Sequence, residues 1–243
     1  MTTTLDASST VGQLVTDRPR RARVFERFGI DYCCGGKRPL AQACVEQGLN
    51  LDEVLTALAD SAQVASDEPE TEWSSVSMTD LANHIVATHH AYLREALPRL
   101  AGLFDKVITA HAERHPDLRE LRQAFDDLVN ELGPHMQKEE LVLFPMVREL
   151  DRAERAPSFH CGSVNNPIHA MEHEHDNAGA ALARMRALTH GYTPPEDACN
   201  TYRALLDSLD ELERDMHTHI HKENNILFPR AAARERQLVE NAP

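Results

Sequence analysis

At 243 residues, with 42% hydrophobic and only 5% aromatic residues, the chain is long enough for one substantial core plus a small extra unit. A formal net charge of −14 argues against a nucleic-acid or anionic-membrane surface. No stretch approaches the ~18 consecutive apolar residues of a membrane span. MTTTLDASST has neither a basic nor an apolar leader region, and five cysteines without a leader fit a reducing cytoplasm better than a disulfide framework.

Residues 1–62 read as a small helical domain. Its helices are expected over Arg18–Phe28, Pro39–Gln47 and Leu51–Ala59, stopped at Gly29 and Gly48 where these intervene. Between the first two lies DYCCGG, Asp31 to Gly36, a tight glycine-containing turn. Residues 63–76, polar, acidic and interrupted by Pro69, read as a linker.

From residue 77 to about 236 the pattern is helical throughout. Ser77 followed by Asp80 suggests a cap for a first long helix to about His111, with Val86, Leu93, Leu97, Leu100 and Phe104 as its buried stripe. A second starts at Pro116 and runs, with an interruption, towards Leu150. Pro134 removes a backbone donor within it and predicts a bend. A third opens at Asn166-Pro167 and stops at Gly191, and a fourth follows Pro194-Pro195. Four long helices with short connections define an all-α, antiparallel four-helix bundle.

The chemistry lies in a repeat. HMQKEELVLFP at 135–145 and HIHKENNILFP at 219–229 share H-x-x-K-E-x-x-x-L-F-P at an offset of 84. Duplicated packing accounts for the Leu-Phe-Pro ends but not for a His and a Glu four apart in both copies. On a helix such a pair lies about 40° apart around the axis and about 6 Å along it, so both side chains reach one cavity. A buried carboxylate or imidazole is costly unless paired or metal-bound. Each copy has an upstream partner, His90 before His135 and His175 before His219. His90, His135, Glu139, His175, His219 and Glu223 thus form a set of four His and two Glu suited to two first-row metals bridged by carboxylates, with a solvent-derived oxo or hydroxo bridge. Each metal keeps an open position for O2, NO or another small ligand, and nitrogen and oxygen donors without thiolate favour two non-haem iron ions. On the third helix His169 or His173 is the alternative to, or a fifth ligand beside, His175. For His84, His111, His115, His160, His190, His217 and His221 a surface position is expected, and Glu131 and Glu174 face solvent by spacing.

These motifs, with DYCCGGK at 31–37, M-E-x-E-H-D at 171–176 and E-N-N-x-L-F-P at 223–229, resemble the hemerythrin-like proteins and, within them, the repair-of-iron-centres di-iron family. The resemblance spans nearly the whole chain and implies the same six ligands. It implies recovery of iron-sulfur clusters damaged by nitric oxide or peroxide, with damaged iron-sulfur proteins as clients and an unidentified electron donor. Monomer and dimer both stay open. It also makes Glu131 and Glu174 neighbours of the metal site. Oxygen-carrying hemerythrins differ in having H-x-x-x-H on the third helix; here the residue four after His175 is Gly179. Cys33 and Cys34 are candidates for redox or iron handling, with Gly35-Gly36, Lys37 and Arg38 expected to favour thiolate. Cys44, Cys161 and Cys199 read as structural. A carrier or sensor of O2 or NO without turnover, an oxidoreductase consuming NO or peroxide, and a structural bundle with adventitious zinc remain as alternatives.

Overall fold

The computed structural model describes residues 5–61 and 71–241, so the linker expected at 63–76 falls largely outside the described residues. Among the described residues there are eight helices and no strand. Four are short. α1 (Val11–Asp17) was not expected from sequence; Thr10 caps it by accepting from the Gln13 N–H at 3.2 Å. α2 (Arg21–Phe28) ends at Gly29, whose φ of 67° needs a residue without Cβ. α3 (Leu40–Glu46) and α4 (Leu51–Ser61) complete the unit.

The four long helices are α5 (residues 78–111), α6 (117–152), α7 (Asn165–Leu188) and α8 (200–240). Ser77 opens α5 by accepting from the Asp80 N–H at 2.9 Å. α6 remains helical through Pro134, and α5 through Pro98. Cross-helix contacts run in opposite chain directions. Glu120 meets Arg184 and Glu174 meets His135 between α6 and α7, while Ser208 meets Arg99 and Asp215 meets His89 between α8 and α5. The bundle is therefore antiparallel.

α5, α6 and α8 each contain one π-helical turn, at Val86–His90, Glu139–Leu143 and Glu223–Leu227. In the last two, the Phe144 and Phe228 N–H groups donate five residues back, to Glu139 and Glu223. Pro145 and Pro229 come one residue later, so their missing N–H falls where the ladder changes register. The interruption expected in the second helix is this turn.

Apolar side chains form two cores rather than one. Leu93, Leu100, Phe104, Phe125, Leu182 and Leu209 belong to the larger, which continues into the N-terminal unit through Phe25, Tyr32 and Leu40. Ile85, Phe144, Val147, Met171, Leu227 and Phe228 belong to the smaller. Between them sits a layer of buried histidines and glutamates.

The N-terminal unit seats on α7 and α8 through the glycine turn. Asn225 donates to the Cys33 carbonyl at 2.9 Å, Lys37 pairs with Glu172 at 2.7 Å, and the Tyr32 ring meets His221 edge-on at 5.6 Å. A Cβ on Gly36 would collide with the Asn225 side chain and come within 2.6 Å of the Tyr32 carbonyl. Gly36→Ala is therefore expected to cost about 1–3 kcal/mol, seen as a lower denaturation midpoint; an unchanged midpoint would show that the turn is not tightly seated.

Candidate metal centre

The structure brings all six residues of the sequence-derived set into the layer between the two cores. His90 lies in the π turn of α5, Glu139 and Glu223 open those of α6 and α8, and His135 and His219 stand one turn before the two glutamates. His175 comes from α7, which has no such turn. Two sets of donor atoms form, each within 4.8 Å of one another: His90, His219, Glu139 and Glu223, and His135, His175, Glu139 and Glu223. Both glutamates belong to both sets.

All six side chains are at least 95% buried, and the two glutamates are fully enclosed. The four Nε2 atoms face the carboxylates. His90 is 3.2 Å and His135 3.4 Å from Glu139, while His175 and His219 are each 3.1 Å from Glu223. The His135 and His175 Nε2 atoms are themselves 3.2 Å apart. Yet neither oxygen of Glu139, nor Oε2 of Glu223, nor Nε2 of His90 has a properly directed hydrogen-bond partner. Buried carboxylates without donors are very costly. Cations between the imidazoles and carboxylates would remove that cost, so the donor set fits metal.

The outward nitrogens fix the rings. His90 Nδ1 is 2.6 Å from Glu140, His135 Nδ1 2.8 Å from Glu174 and His175 Nδ1 2.8 Å from Asn224. With these acceptors the protons sit on Nδ1 and the Nε2 lone pairs point inward. Phe144 stacks on His90 and Phe228 on His175, both at 5.9 Å between centroids. The Leu-Phe-Pro ends thus pack against the imidazoles as well as filling the smaller core.

With protons as the only counter-charge, burial alone would drive the imidazolium of His135 to lose its proton. The close charge of Glu139, then that of Glu223 and the hydrogen bond with Glu174, override burial and push His135 up to about 9. For Glu223 burial likewise opposes charge, but His219 and His175 hold it well below the usual carboxylate range.

Several expectations need correction. Glu174 stands beside the site, as the resemblance implies and spacing alone does not: it accepts from His135 and pairs with Lys138, whereas Glu131 is exposed, as spacing predicts. His111 and His221 are buried, His111 against Tyr202 and Cys199, His221 beneath Tyr32 and Thr16 of the N-terminal unit. His169 and His173 are both exposed and away from the layer. Cys199 is exposed rather than a buried packing residue. Glu140, Asn224 and the buried Lys222 were not singled out from sequence; the first two follow directly after the repeated glutamates, and that was the available signal.

The cysteine turn is not remote from the layer. Cys34 Sγ donates to the His175 carbonyl at 3.4 Å, and a Cβ on Gly179 would stand 3.4 Å from that sulfur. Nor is Cys33 poised as thiolate: it is buried, 3.8 Å from Cys34 Sγ and 3.3 Å from the Asp31 carboxylate. Its hydrogen bond with Cys34, then burial and the Asp31 charge, push its thiol well up.

A bundle with a buried His/Glu layer of this kind belongs to the hemerythrin class, and residues 81–231 match the hemerythrin HHE cation binding domain. Residues 7–62 match a domain of unknown function, DUF542. The chain is 38% identical over 91% of its length to the iron-sulfur cluster repair protein YtfE of Pectobacterium carotovorum subsp. carotovorum, covering 95% of that protein. It is equally similar to that of Pectobacterium atrosepticum, and 37% identical over 93% of its length to that of an Enterobacter species, 97% of which is covered. The chain belongs to this family of hemerythrin-like proteins with a DUF542 domain.

Gly179 gives a direct check on how the cysteine turn meets the bundle. Gly179→Ala is expected to be tolerated, since its Cβ reaches only van der Waals contact. Gly179→Leu should displace the turn and raise the alkylation rate of Cys34 at least several-fold; equal rates in all three proteins would contradict the packing described.

Proposed function

We propose that this chain is a di-iron protein that restores iron-sulfur clusters damaged by nitric oxide or oxidative stress, with His90, His135, Glu139, His175, His219 and Glu223 as the metal ligands. One observation carries the reading: two fully buried glutamates, each shared by two pairs of histidines, lack adequate protein donors. The repair role rests on the relatives named for it and on the cysteine-bearing domain they share with this chain.

Two irons with carboxylate bridges would supply one-electron chemistry, open positions for NO or O2, and a reserve of iron. The remaining work belongs to the protein. Glu140, Glu174 and Asn224 hold the imidazoles in the ligating tautomer; Phe144 and Phe228 limit water on the side of the smaller core. Lys138 keeps Glu174 anionic and oriented. The same centre suits a carrier of O2 or NO, but the Cys34 contact with the ligand helix favours a protein whose cysteines act together with the centre. Cys33 and Cys34 are then placed to pass iron or electrons between the layer and a client. We place 1–62 and 77–236 as the two functional units.

Metal must displace the proton that His135 holds up to about 9. Metal binding at pH 7.5 is therefore expected to release a proton from this site and to tighten as pH rises towards 9. Calorimetry of the apoprotein in buffers of different ionisation enthalpy checks this; pH-independent affinity over that range would contradict it.

The function is tested by comparing wild type with a Cys33→Ser/Cys34→Ser double variant at equal iron loading. Both should bind two irons per chain and show oxo-bridge absorption when oxidised, because Ser can still donate to the His175 carbonyl. Only wild type should fully reactivate an iron-sulfur enzyme inactivated by nitric oxide. Failure of wild type to reactivate it would refute the repair reading, and equal recovery would remove the cysteines from it. A single bound zinc after anaerobic purification with iron would overturn the di-iron assignment.

A further inference from the structure

We infer that His111, His115, Asp197 and Cys199 form a second metal site, for one zinc-like divalent cation, at the end of the bundle away from the His/Glu layer. His111 is the last residue of α5 and His115 lies in the connection to α6, while Asp197 and Cys199 lie in the connection from α7 to α8. From His90 to His111 the helix climbs about 30 Å, so this cluster is separate from the His/Glu layer.

Three of the four donors converge closely, and Cys199 Sγ, which touches His111, lies outside their 4.8 Å group. One donor atom each from His111, His115 and Asp197 lies within 4.8 Å of the other two. His115 Nε2 is 2.9 Å from Asp197 Oδ1, and His111 Nε2 is 3.2 Å from Cys199 Sγ. Tetrahedral zinc with bonds of 2.0–2.3 Å separates its donors by about 3.3–3.6 Å, so the two histidines and Asp197 need only adjust, while the exposed Cys199 side chain must turn in to complete the set. A second observation comes from burial. His111 is only 5% exposed, yet its Nδ1 has no hydrogen-bond partner, a buried polar atom left unsatisfied beside the cluster. Tyr202 packs against both imidazoles, at 5.3 and 5.8 Å between centroids, and Arg114 pairs with the second Asp197 oxygen at 3.0 Å.

The donor set differs in kind from the central layer. Two nitrogens, one carboxylate oxygen and one sulfur describe a borderline-soft site for a single tetrahedral ion, whereas the layer offers no sulfur and two shared carboxylates. A cavity of about 300 Å³ lined by His115, Leu118, Thr189, Pro194 and Tyr202 opens on one side of His115, and the exposed Asp197 and Cys199 leave the cluster open to solvent. On binding, the Cys199 thiol gives its proton to solvent and its sulfur bonds the metal. The ion then ties together two chain connections that otherwise meet through side-chain contacts.

Cobalt(II) is the probe, added to full-length protein already loaded with iron. The expected result is one cobalt per chain, with tetrahedral visible bands and thiolate-to-cobalt charge transfer in the near ultraviolet. Cys199→Ser should abolish the charge-transfer band, and His115→Ala should weaken cobalt at least tenfold, both with the iron spectrum unchanged. These residues lie outside the apolar core, so the variants should fold; Cys33→Ser/Cys34→Ser should leave the band intact. Cobalt that enters only by displacing iron, or a band that survives Cys199→Ser, would overturn the proposal.

Discussion

Everything in this molecule is arranged around two carboxylates that the protein itself does not satisfy. Glu139 and Glu223 are fully enclosed, and three of their four oxygens lack a directed donor. An uncompensated buried charge costs several kcal/mol, which no ordinary apolar packing would be expected to tolerate twice in one layer. The four imidazoles around them supply lone pairs as well as protons, so the layer is a ligand cage seeking positive charge. It also divides the apolar interior in two, with the larger core on the side of the N-terminal unit and the smaller beyond Phe144 and Phe228.

The two halves of the cage are built alike and then made unequal. In each, a His and a Glu stand on one helix, the residue after the Glu holds the histidine of the neighbouring helix, and a Phe stacks on that histidine. Glu140 does this for His90 and Asn224 for His175. The lysine before each glutamate also has a matching task, but its partner differs. Lys138 meets Glu174, which orients His135; Lys222 meets His89, which stacks on His219 at 5.2 Å without bonding it. His219 Nδ1 is left without a partner. One half therefore has an anionic acceptor where the other has a cation-linked imidazole. Of the two donor sets, the one with His135 and His175 has both outward nitrogens held, and the one with His90 and His219 only the first.

The bundle and the cage were legible in the sequence because they rest on short-range periodicity and on a repeat. Residues four apart share a helix face whatever the tertiary structure, and the duplicated H-x-x-K-E-x-x-x-L-F-P fixed which faces meet. What escaped depends on contacts across the chain. Glu174 looks solvent-facing by spacing, and only the approach of α6 turns it towards His135. His221 looks like a surface residue until Tyr32 covers it. Of the three π turns only that of α6 was visible, as an interruption, and those of α5 and α8 were not expected, since no composition distinguishes them from ordinary helix. α1 was missed because seven residues, VGQLVTD, carry too little periodic signal and depend on the Thr10 cap and on burial.

The cysteine turn shows how one missing side chain can reorganise a site. In a bundle with histidines at both positions of H-x-x-x-H, the third helix would project a ring from the place held by Gly179. Here the space above Gly179 is taken by Cys34, whose sulfur reaches the carbonyl of His175. Gly36 and Asn225 act from the other side: the glycine lets the turn come close to the π turn of α8, and the asparagine holds its carbonyls. The N-terminal unit thus touches His175 of the cage on α7 and Asn225 beside it on α8, besides its contacts with Glu172 and His221. A movement of the turn would be felt at the His175 backbone, and a shift of His175 would be felt at a thiol. The cysteine turn and the His/Glu layer are therefore coupled through packing and hydrogen bonds rather than standing apart.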